Sequence, residues 1–300
     1  MSAAPVISIV TCFLNQEAFL EEMINSVLNQ IYTNWQLLLV NDGSTDASKT
    51  IAKKYTAQHP EKIIYLEHPD CANLGLSASR NLAISKSHGE FITFLDGDDV
   101  WLKEYLSNQL KVLRNNPEAC MICEASEYWH SWHSITADIV IPVGSPQNIL
   151  FQPPQLAEML YPLGKGAAPC VCGIIVKRET LVGIGMFNEA FSGMYEDQVF
   201  LMKIYLSEPV FISSACYNRY RQRANSLVHA SHAQGQYQAI RKRYLLWLKH
   251  YLTQQPNRYP TVELLLQQAL HSPKALDGVV SLFKRVAGKV SRTLKGGLVR

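Results

Sequence analysis

The first third of the chain alternates between short apolar runs and longer segments with helical periodicity. Apolar runs at positions 6–11, 35–40 and 62–66 have the length and composition of buried strands. After the first run, apolar residues recur at the spacing of one helical face: Leu20, Met23, Ile24, Val27 and Leu28. The pattern therefore predicts strands and helices in succession, with short connections.

A second helix is predicted directly after the strand at 35–40. Its buried stripe is predicted at three positions: Ala47, Ile51 and Tyr55. Ser44 or Thr45 is expected to cap the first turn, because a hydroxyl oxygen can accept a hydrogen bond from an unpaired backbone N–H there. Asp46 would complement the positive end of the helix dipole.

The run at 90–95 follows a predicted helix at 77–88 and ends in the carboxylates of Asp96, Asp98 and Asp99. A short, nearly continuous apolar run predicts a central strand buried on both faces. Neighbouring carboxylates repel one another unless a cation lies among them, and open α/β sheets bind ligands beyond the carboxyl ends of their strands. Hard oxygen ligands suit Mg²⁺ or Mn²⁺. The alternative is a solvated Asp-Gly turn before the next helix.

This succession predicts an α/β fold with a mostly parallel sheet and helices on both faces. The later predicted elements are a helix at 102–113, an irregular region at 124–168, a strand at 170–176, a helix from 196, a strand at 210–217 and helices at 235–270, broken at Pro256 and Pro260. Irregular stretches inside a domain are often functional loops. Trp129 and Trp132 in this one can stack on sugar rings or form a packed flap.

Composition is that of an ordinary globular protein, with 47% apolar and 18% charged residues. A net charge of +3 gives no reason to expect a nucleic-acid partner. No apolar stretch approaches the ~20 residues of a membrane span, and the N-terminus lacks the basic region of a signal peptide. Seven cysteines, an odd number, fit a reducing cytoplasm. Cys120 and Cys123 are predicted to be buried thiols rather than a zinc site.

Four further polar residues are candidates for chemistry, and each also has a structural explanation. Asp42 follows the second strand, where its carboxylate can accept hydrogen bonds from a ribose or a base, but it can also stabilise a turn. Arg80 suits phosphate recognition, although a lone helical arginine is commonly a surface residue. Glu196 and Asp197 begin a predicted helix, where the dipole favours acids whether or not they are catalytic.

The order of these motifs resembles that of the family 2 glycosyltransferases with the GT-A fold. The chain reads NDGSTD at 41–46, NLG at 73–75, SRN at 79–81, FLDGDD at 94–99 and, about a hundred residues later, a GxFxE motif followed by a Glu-Asp pair. The resemblance covers roughly residues 5–226. Each motif is weak alone, but the combination is specific.

The resemblance implies a role for each matching residue. The nucleotide-sugar donor would be bound by Thr11, Asn15, Glu17, Asp42, Asn73, Arg80, Asp96, Arg221 and Arg223. Asp42 matches the acid that contacts the base. Asp96 and Asp98 match the DxD motif, in which the first faces the ribose and the second binds the divalent metal, Mn²⁺ or Mg²⁺, with Asp96 also close to it. Asp197, with Glu196 beside it, matches the catalytic base.

Two positions depart from the family's pattern. Leu14 stands where tyrosine is usual, and Arg223 stands where a histidine that can ligate the metal is common. Arg223 belongs to the segment YRQRANS at 220–226, and it can hold the pyrophosphate instead. The third metal ligand is therefore left open.

The sequence thus predicts a GT-A-type domain at 1–230, with a nucleotide-binding half at 1–100 and an acceptor half at 101–230, followed by a helical appendage at 231–300. The predicted reaction transfers a sugar from a UDP- or GDP-linked donor to a hydroxyl of a glycan or lipid-linked acceptor, with inversion. The alternatives are a metal-dependent nucleotidyltransferase, which usually needs a Gly-rich basic loop that is missing after the first strand, and a non-catalytic glycan-binding protein on the same scaffold.

Residues 277–300 carry the positive charge of the chain. They hold six Lys or Arg residues against Asp277, a charge of +5. Apolar residues recur there at helical spacing: Val279, Leu282, Phe283, Val286, Val290 and Leu294. The segment predicts a peripheral helix on an anionic membrane, which would place the protein in the cytoplasm at the inner face of the membrane. The alternative is that the stripe packs on the protein's own core.

Overall fold

Strands and helices alternate along the chain in the computed structural model, which describes residues 6–223 and 237–271. The strands are β1 (Ile7–Phe13), β2 (Trp35–Asn41), β3 (Ile63–Glu67), β4 (Phe91–Phe94), β5 (Val100–Trp101), β6 (Met121–Cys123), β7 (Ser126–Trp129), β8 (Ile139–Ile141), β9 (Ile149–Phe151), β10 (Ile174–Lys177), β11 (Val210–Ile212) and β12 (Asn218–Arg221). The helices are α1 (Leu20–Leu28), α2 (Ser48–Gln58), α3 (Leu76–Lys86), α4 (Tyr105–Asn115), α5 (Gln155–Met159), α6 (Arg178–Gly183), α7 (Glu196–Ser207), α8 (Tyr237–Thr253) and α9 (Pro260–His271).

Eight strands form the main sheet, in the order β3-β2-β1-β4-β10-β6-β11-β9. The four strands from the first third of the chain are parallel, as the alternation of strands and helices predicts. Strand β10 is antiparallel to both of its neighbours, and β11 is parallel to β6 but antiparallel to β9. The α/β fold with a mostly parallel sheet flanked by helices is confirmed, and its second half is mixed.

Strands β1 and β2 are buried along their whole length, which accounts for their continuous apolar sequences. The polar side chain of Ser8 within β1 is satisfied, because its Oγ accepts hydrogen bonds from Gln36 Nε2 at 2.6 Å and from the Gly89 main-chain N at 2.9 Å. A Cβ on Gly89 would lie 2.5 Å from Ser8 Oγ. Glycine at this position therefore lets β4 begin beside the centre of the sheet.

Four short strands form a second sheet, in the order β5-β12-β7-β8. Strands β7 and β8 lie in the region predicted to be irregular, whereas β5 precedes it and β12 follows it. The prediction of one strand at 210–217 is wrong. The chain leaves the main sheet after Ile212 and enters the second sheet at Asn218 as β12. Between these strands, the Tyr217 main-chain N donates to Glu124 Oε1 at 2.8 Å instead of to a strand. This crossing brings β12 next to the acid cluster that follows β4.

The predicted cap of α2 is also wrong. Ser44 Oγ accepts a hydrogen bond from the Asn15 main-chain N instead. The helix begins at Ser48, whose N–H donates to Asp46 Oδ1 at 3.0 Å, while Glu17 Oε2 accepts from the preceding Ala47 N–H at 2.8 Å. The buried stripe of α2 is Ser48, Ala52 and Tyr55. Two acids thus replace the expected hydroxyl.

Helices α8 and α9 share one apolar core with α7 and the main sheet. Tyr244, Leu245 and Leu248 of α8 are buried in the same cluster as Val199 and Phe200 of α7. Pro260, predicted to interrupt the helical region, is the first residue of α9, where proline costs no hydrogen bond. The division at residue 230 stays a prediction.

All seven cysteines are free thiols; Cys123 is fully buried as predicted, whereas Cys120 is only partly buried. Across the described ranges, the helices are too short or too polar to cross a bilayer. The tail at 277–300 and the last three residues of the YRQRANS segment, Ala224, Asn225 and Ser226, lie outside the described residues.

Candidate functional site: an acid-lined cleft at the carboxyl end of the sheet

Each carboxylate after β4 lies against an arginine. Asp96 and Asp98 flank Gly97 in a tight turn, in which the Asp99 main-chain N donates to the Asp96 carbonyl at 3.0 Å. Arg80 Nη2 from α3 donates to Asp96 Oδ1 at 3.0 Å. Arg223 Nη2 forms an ion pair with Asp98 Oδ2. The cations that the sequence required among these acids are thus supplied by the protein itself.

Arg80 is a buried arginine rather than a surface one. Its side chain is 3% exposed, and its guanidinium lies 5.7 Å from the ring centre of Phe94 and 5.1 Å from that of Phe187. Burial opposes its charge, but the surrounding carboxylates, above all that of Asp96, raise the pKa of Arg80. The structure therefore excludes the simple explanation of a solvated helical residue.

Arg221 on β12 fixes the backbone of the acid turn. Its Nε donates to the Asp98 carbonyl at 2.6 Å, its main-chain N donates to Asp99 Oδ1 at 2.9 Å, and its Nη2 contacts Glu22 Oε2 at 2.5 Å. Because the chain crosses from the main sheet to the second one, Arg221 lies against the turn that carries the DxD motif.

Asp98 and Asp99 are the two carboxylates of the turn that are most shielded from water. Burial raises the pKa of Asp98; the positive charge of Arg223 opposes the rise and the negative charge of Asp96 adds to it. Burial and the charges of Asp98 and Asp96 raise the pKa of Asp99 well above its usual range. Asp99 Oδ2 is buried and makes no hydrogen bond. Of these two acids, Asp99 is therefore the one whose ionised form the site disfavours more strongly.

Asp42, at the end of β2, binds the loop that precedes α3. Its Oδ1 accepts hydrogen bonds from the main-chain N of Leu74 at 2.9 Å and of Gly75 at 3.1 Å. Gly43, the next residue, has φ of +86°, and a Cβ there would meet the Cys71 carbonyl at 3.0 Å. The carboxylate is thus held at the cleft by backbone donors, with Asn73 on the same loop.

The three predicted donor-binding residues of the first strand and turn lie in different environments. Asn15, with φ of +53°, lines the cleft, and its Oδ1 accepts from the Thr45 main-chain N at 2.8 Å. Glu17 is exposed and binds the start of α2. Thr11 is fully buried, with its hydroxyl 3.8 Å from the sulfur of Met23. The roles of all three toward a nucleotide stay predictions.

A second pair of acids lies at the N-terminus of α7. Tyr195, in the left-handed region at φ of +70°, turns the chain into the helix. Asp197 Oδ1 accepts a hydrogen bond from the Gln198 main-chain N at 2.8 Å, and Glu196 Oε1 is buried without a hydrogen-bond partner. Burial raises the pKa of both acids, and in each case the charge of Arg80 opposes the rise.

Three tyrosines that the sequence analysis missed also reach the cleft. The hydroxyl of Tyr161 is hydrogen-bonded to those of Tyr195 and Tyr237, the latter at 2.8 Å. Tyr237 belongs to α8, so the C-terminal helices contribute to the site. Tyr161 and Tyr195 are 34 positions apart along the chain, and Tyr195 and Tyr237 are 42 positions apart. No local motif could have indicated the cluster.

One cleft of about 900 Å³ brings the two acid pairs together. The predicted residues that line it are Asn15, Asp42, Asn73, Arg80, Asp96, Asp98, Glu196, Asp197, Arg221 and Arg223. The cleft lies at the carboxyl ends of β1, β2 and β4, where ligands of open α/β sheets bind. Residues from the first hundred positions and residues at 192–198 and 220–223 therefore face a shared space.

Trp129 and Trp132 pack around Arg221 and are not among the residues lining the cleft. The Arg221 guanidinium lies 4.3 Å from the ring centre of Trp129 and 4.9 Å from that of Trp132. Trp132 Nε1 also donates to the Gln222 carbonyl at 3.1 Å, and its ring meets Phe19 edge to face. These contacts fit the alternative of a packed flap. An acceptor role stays a prediction.

The carboxylate oxygens after β4 are of the chemical type that binds a divalent ion, but two side chains cannot fill its coordination shell. Asp96 and Asp98 supply hard carboxylate oxygens, as Mg²⁺ and Mn²⁺ require. Within residues 6–223 and 237–271, no group of three or more His, Cys, Asp or Glu side chains is arranged to hold a metal. An ion there would take its remaining ligands from substrate phosphates and water, as Mg²⁺ commonly does.

Comparison with known proteins agrees with the geometry. Residues 8–128 match the profile of the family described as glycosyl transferase family 2. A putative teichuronic acid biosynthesis glycosyltransferase of Bacillus subtilis is 33% identical over 110 residues, which are 36% of this chain and 42% of that protein. A cholesterol galactosyltransferase of Borreliella burgdorferi is 27% identical over 227 residues, covering 72% of this chain and 60% of that protein. The chain matches about two fifths of the length of several curated relatives.

Solved structures of low sequence identity share the fold. S. aureus TarS 1-349 in complex with UDP-GlcNAc has a TM-score of 0.66 at 18% identity, covering 88% of this chain and 71% of that one. The mannosyltransferase PcManGT from Pyrobaculum calidifontis, in complex with GDP-Man and Mn²⁺, has a TM-score of 0.61 at 16% identity, covering 99% and 80%. The GT-A fold and the resemblance to family 2 are therefore confirmed.

Proposed function

We propose that this chain, whose residues 8–128 match the family described as glycosyl transferase family 2, is a glycosyltransferase that moves a sugar from a UDP- or GDP-linked donor to a hydroxyl of a glycan or lipid-linked acceptor. The observation that carries the proposal is one cleft that is lined by both acid pairs, Asp96 with Asp98 and Glu196 with Asp197. Acids from two different elements allow a base and a leaving group to lie on opposite faces of the sugar. This arrangement supports inversion at the anomeric carbon.

The donor would bind across the carboxyl ends of β1, β2 and β4. Asp42 is held at the cleft by two backbone donors and keeps acceptor capacity for the base. Asp96 faces the same space and has an exposed fraction of 32%, so it can bind the ribose. Since one structural relative carries UDP-GlcNAc and another GDP-Man, the proposal includes both nucleotides.

Asp98, with Asp96, would hold a divalent ion. When bound, such an ion neutralises negative charge that develops on the leaving nucleoside diphosphate. Arg80 and Arg223 supply further positive charge beside the same turn. The chain's own contribution is thus a cluster of cations aimed at the place where charge develops.

Asp197 would accept the proton of the acceptor hydroxyl as it attacks. Burial raises the pKa of Asp197, which makes it a stronger base than a solvated aspartate, and Arg80 keeps part of its ionised character. General-base catalysis of this kind typically contributes roughly 10²–10⁴-fold. The hydroxyls of Tyr161, Tyr195 and Tyr237 lie next to this helix terminus, so we assign them to the acceptor side of the cleft.

The test combines a ligand screen with product analysis. Thermal unfolding of the full chain is measured with a panel of UDP- and GDP-sugars, with Mn²⁺ and with EDTA; a ligand at 100 times its Kd stabilises by about 2.7 kcal/mol. The stabilising donor is then incubated with glycan and lipid-linked acceptors. Release of nucleoside diphosphate with a glycosylated product supports the proposal. Release of pyrophosphate would indicate a nucleotidyltransferase, and stabilisation by glycans without turnover would indicate a binding protein.

A further inference from the structure

In the structure, the Asp98 carboxylate already has a cation as its partner. Arg223 Nη2 forms an ion pair with Asp98 Oδ2, and Arg223 Nη1 donates to Gln16 Oε1 at 3.3 Å. The Asp98 side chain is 15% exposed, so little water reaches the pair. Because Asp98 is also the proposed ligand of a divalent ion, a guanidinium and a metal compete for the same carboxylate.

Among the three arginines around the acid turn, Arg223 is the least constrained. The side chains of Arg80 and Arg221 are each 3% exposed, and each lies against two or more aromatic rings. Arg223 follows the end of β12, is 24% exposed and lies 5.1 Å from the ring centre of Phe19. Within residues 6–223 and 237–271, movement of Arg223 therefore disturbs fewer contacts than movement of the other two.

We propose that Arg223 holds the cation position at Asp98 until the donor binds, and that it then moves to the donor diphosphate while a divalent ion takes its place. The inference rests on the proposed glycosyltransferase function and its metal. A guanidinium suits both positions, because its planar fork binds carboxylate and phosphate oxygens in the same bidentate manner. The exchange keeps each negative group paired: the ion faces Asp98, and the guanidinium faces the phosphates.

The exchange makes metal and nucleotide binding cooperative. Without a nucleotide, an arriving ion must displace Arg223 or bind beside its positive charge, so the ion binds weakly. With a nucleotide present, the displaced guanidinium gains the diphosphate as a partner. Coupling between two ligands is reciprocal: the nucleotide must raise the affinity for the metal by the same factor by which the metal raises the affinity for the nucleotide.

Replacing Arg223 with glutamine tests the exchange, because it should increase the affinity for Mn²⁺ rather than decrease it. In the absence of nucleotide, Arg223→Gln should bind Mn²⁺ at least about tenfold more tightly than the wild type, because a like charge next to the ion is removed. At saturating Mn²⁺, the same variant should bind UDP and GDP more weakly. Arg223→Lys, which keeps the charge and loses the fork, should match the wild type for Mn²⁺ alone and bind the nucleotides more weakly.

The measurement uses the full chain, with free Mn²⁺ followed by electron paramagnetic resonance and nucleotide binding by calorimetry. The matched control is Arg219→Gln, which removes a charge from β12, the strand that Arg223 follows; Arg219 pairs with Glu127 and does not line the cleft. It should leave both affinities unchanged.

Equal or weaker Mn²⁺ binding by Arg223→Gln, relative to the wild type, overturns the exchange and leaves the proposed function standing. No Mn²⁺ binding by any variant, with or without nucleotide, overturns the exchange and the proposed metal dependence together. Sugar transfer measured in EDTA then shows whether the glycosyltransferase function survives without a metal.

Discussion

Replacing Glu124 with glutamine should remove one measurable contribution to the pH dependence of stability. Glu124 is fully buried where the two sheets meet. Its Oε1 accepts hydrogen bonds from the Tyr217 main-chain N and Asn218 Nδ2, both at 2.8 Å, and its Oε2 accepts from Gln109 Nε2 at 3.0 Å. Burial raises the pKa of Glu124 from 4.5 to about 7, although the bonds from Tyr217 and Asn218 favour the ionised form.

The size of the effect follows from these two pKa values. A tenfold change in proton affinity is about 1.4 kcal/mol, so the difference between 4.5 and about 7 amounts to about 3 kcal/mol. The folded state binds the proton more tightly than the unfolded state. The stabilisation is therefore complete below pH 4.5, is lost as pH rises toward 7, and stays lost above it.

The assay is urea denaturation of the wild type and Glu124→Gln at several pH values from about 4.5 to 7.5. The two proteins should be similarly stable at the acid end, since a neutral carboxyl and an amide are alike in size. When the Gln109 amide turns over, its Oε1, which is buried without a partner, can accept from the new amide at the position of Glu124 Oε2. Near pH 7.5 the variant should be more stable by about 3 kcal/mol.

Glu127→Gln is the control, because Glu127 is partly exposed and paired with Arg219; it should keep the wild-type pH dependence. A Glu124→Gln variant whose stability follows pH in parallel with the wild type would refute the reasoning, because Glu124 would then carry its charge at no cost in the folded state.

Four further outcomes are expected. Asp98→Ala should abolish the increase in UDP or GDP affinity on adding Mn²⁺; an increase equal to that of the wild type would remove Asp98 as a ligand. Asp197→Asn should keep donor binding and lower kcat by roughly 10²-fold or more, and turnover near the wild-type rate would contradict a base role. Trp129→Ala and Trp132→Ala should each raise the acceptor KM more than the donor KM, because we expect both side chains on the acceptor side. A larger rise in the donor KM would place these side chains over the nucleotide. At low salt the full chain should sediment with anionic liposomes, and a chain lacking residues 277–300 should stay in the supernatant. If neither sediments, the tail is not a membrane anchor.

The parallel half of the fold could be predicted from sequence because its signals are local. The strands around Val10 and Leu38 are continuous apolar runs, and α1 shows a clear helical face, so both appear where the pattern places them. The mixed half has short strands with little periodicity. The split between Ile212 and Asn218 depends on a buried acid, Glu124, almost a hundred residues earlier.

The same contrast applies to the site. Asp96 and Asp98 can be picked out from the sequence because they are neighbouring acids at a strand end. Both line the cleft, as expected for a ligand site beyond the carboxyl ends of the strands. That an arginine pairs with each of them could not be predicted, since Arg80 and Arg223 approach from different elements. The hydroxyl cluster around Tyr161 depends in the same way on the fold rather than on any local pattern.

The shared core of α7, α8 and α9 has a consequence for the order of folding. Almost every residue of α7 is buried, and part of its cover comes from Tyr244 and Leu248, which are synthesised about 40 residues later. A nascent chain can assemble β1 to β4 early, but the helix that begins with Glu196 and Asp197 stays partly uncovered until α8 and α9 have left the ribosome. The strands that carry Asp42 and Asp96 can thus form first, and the proposed base is fixed in place last.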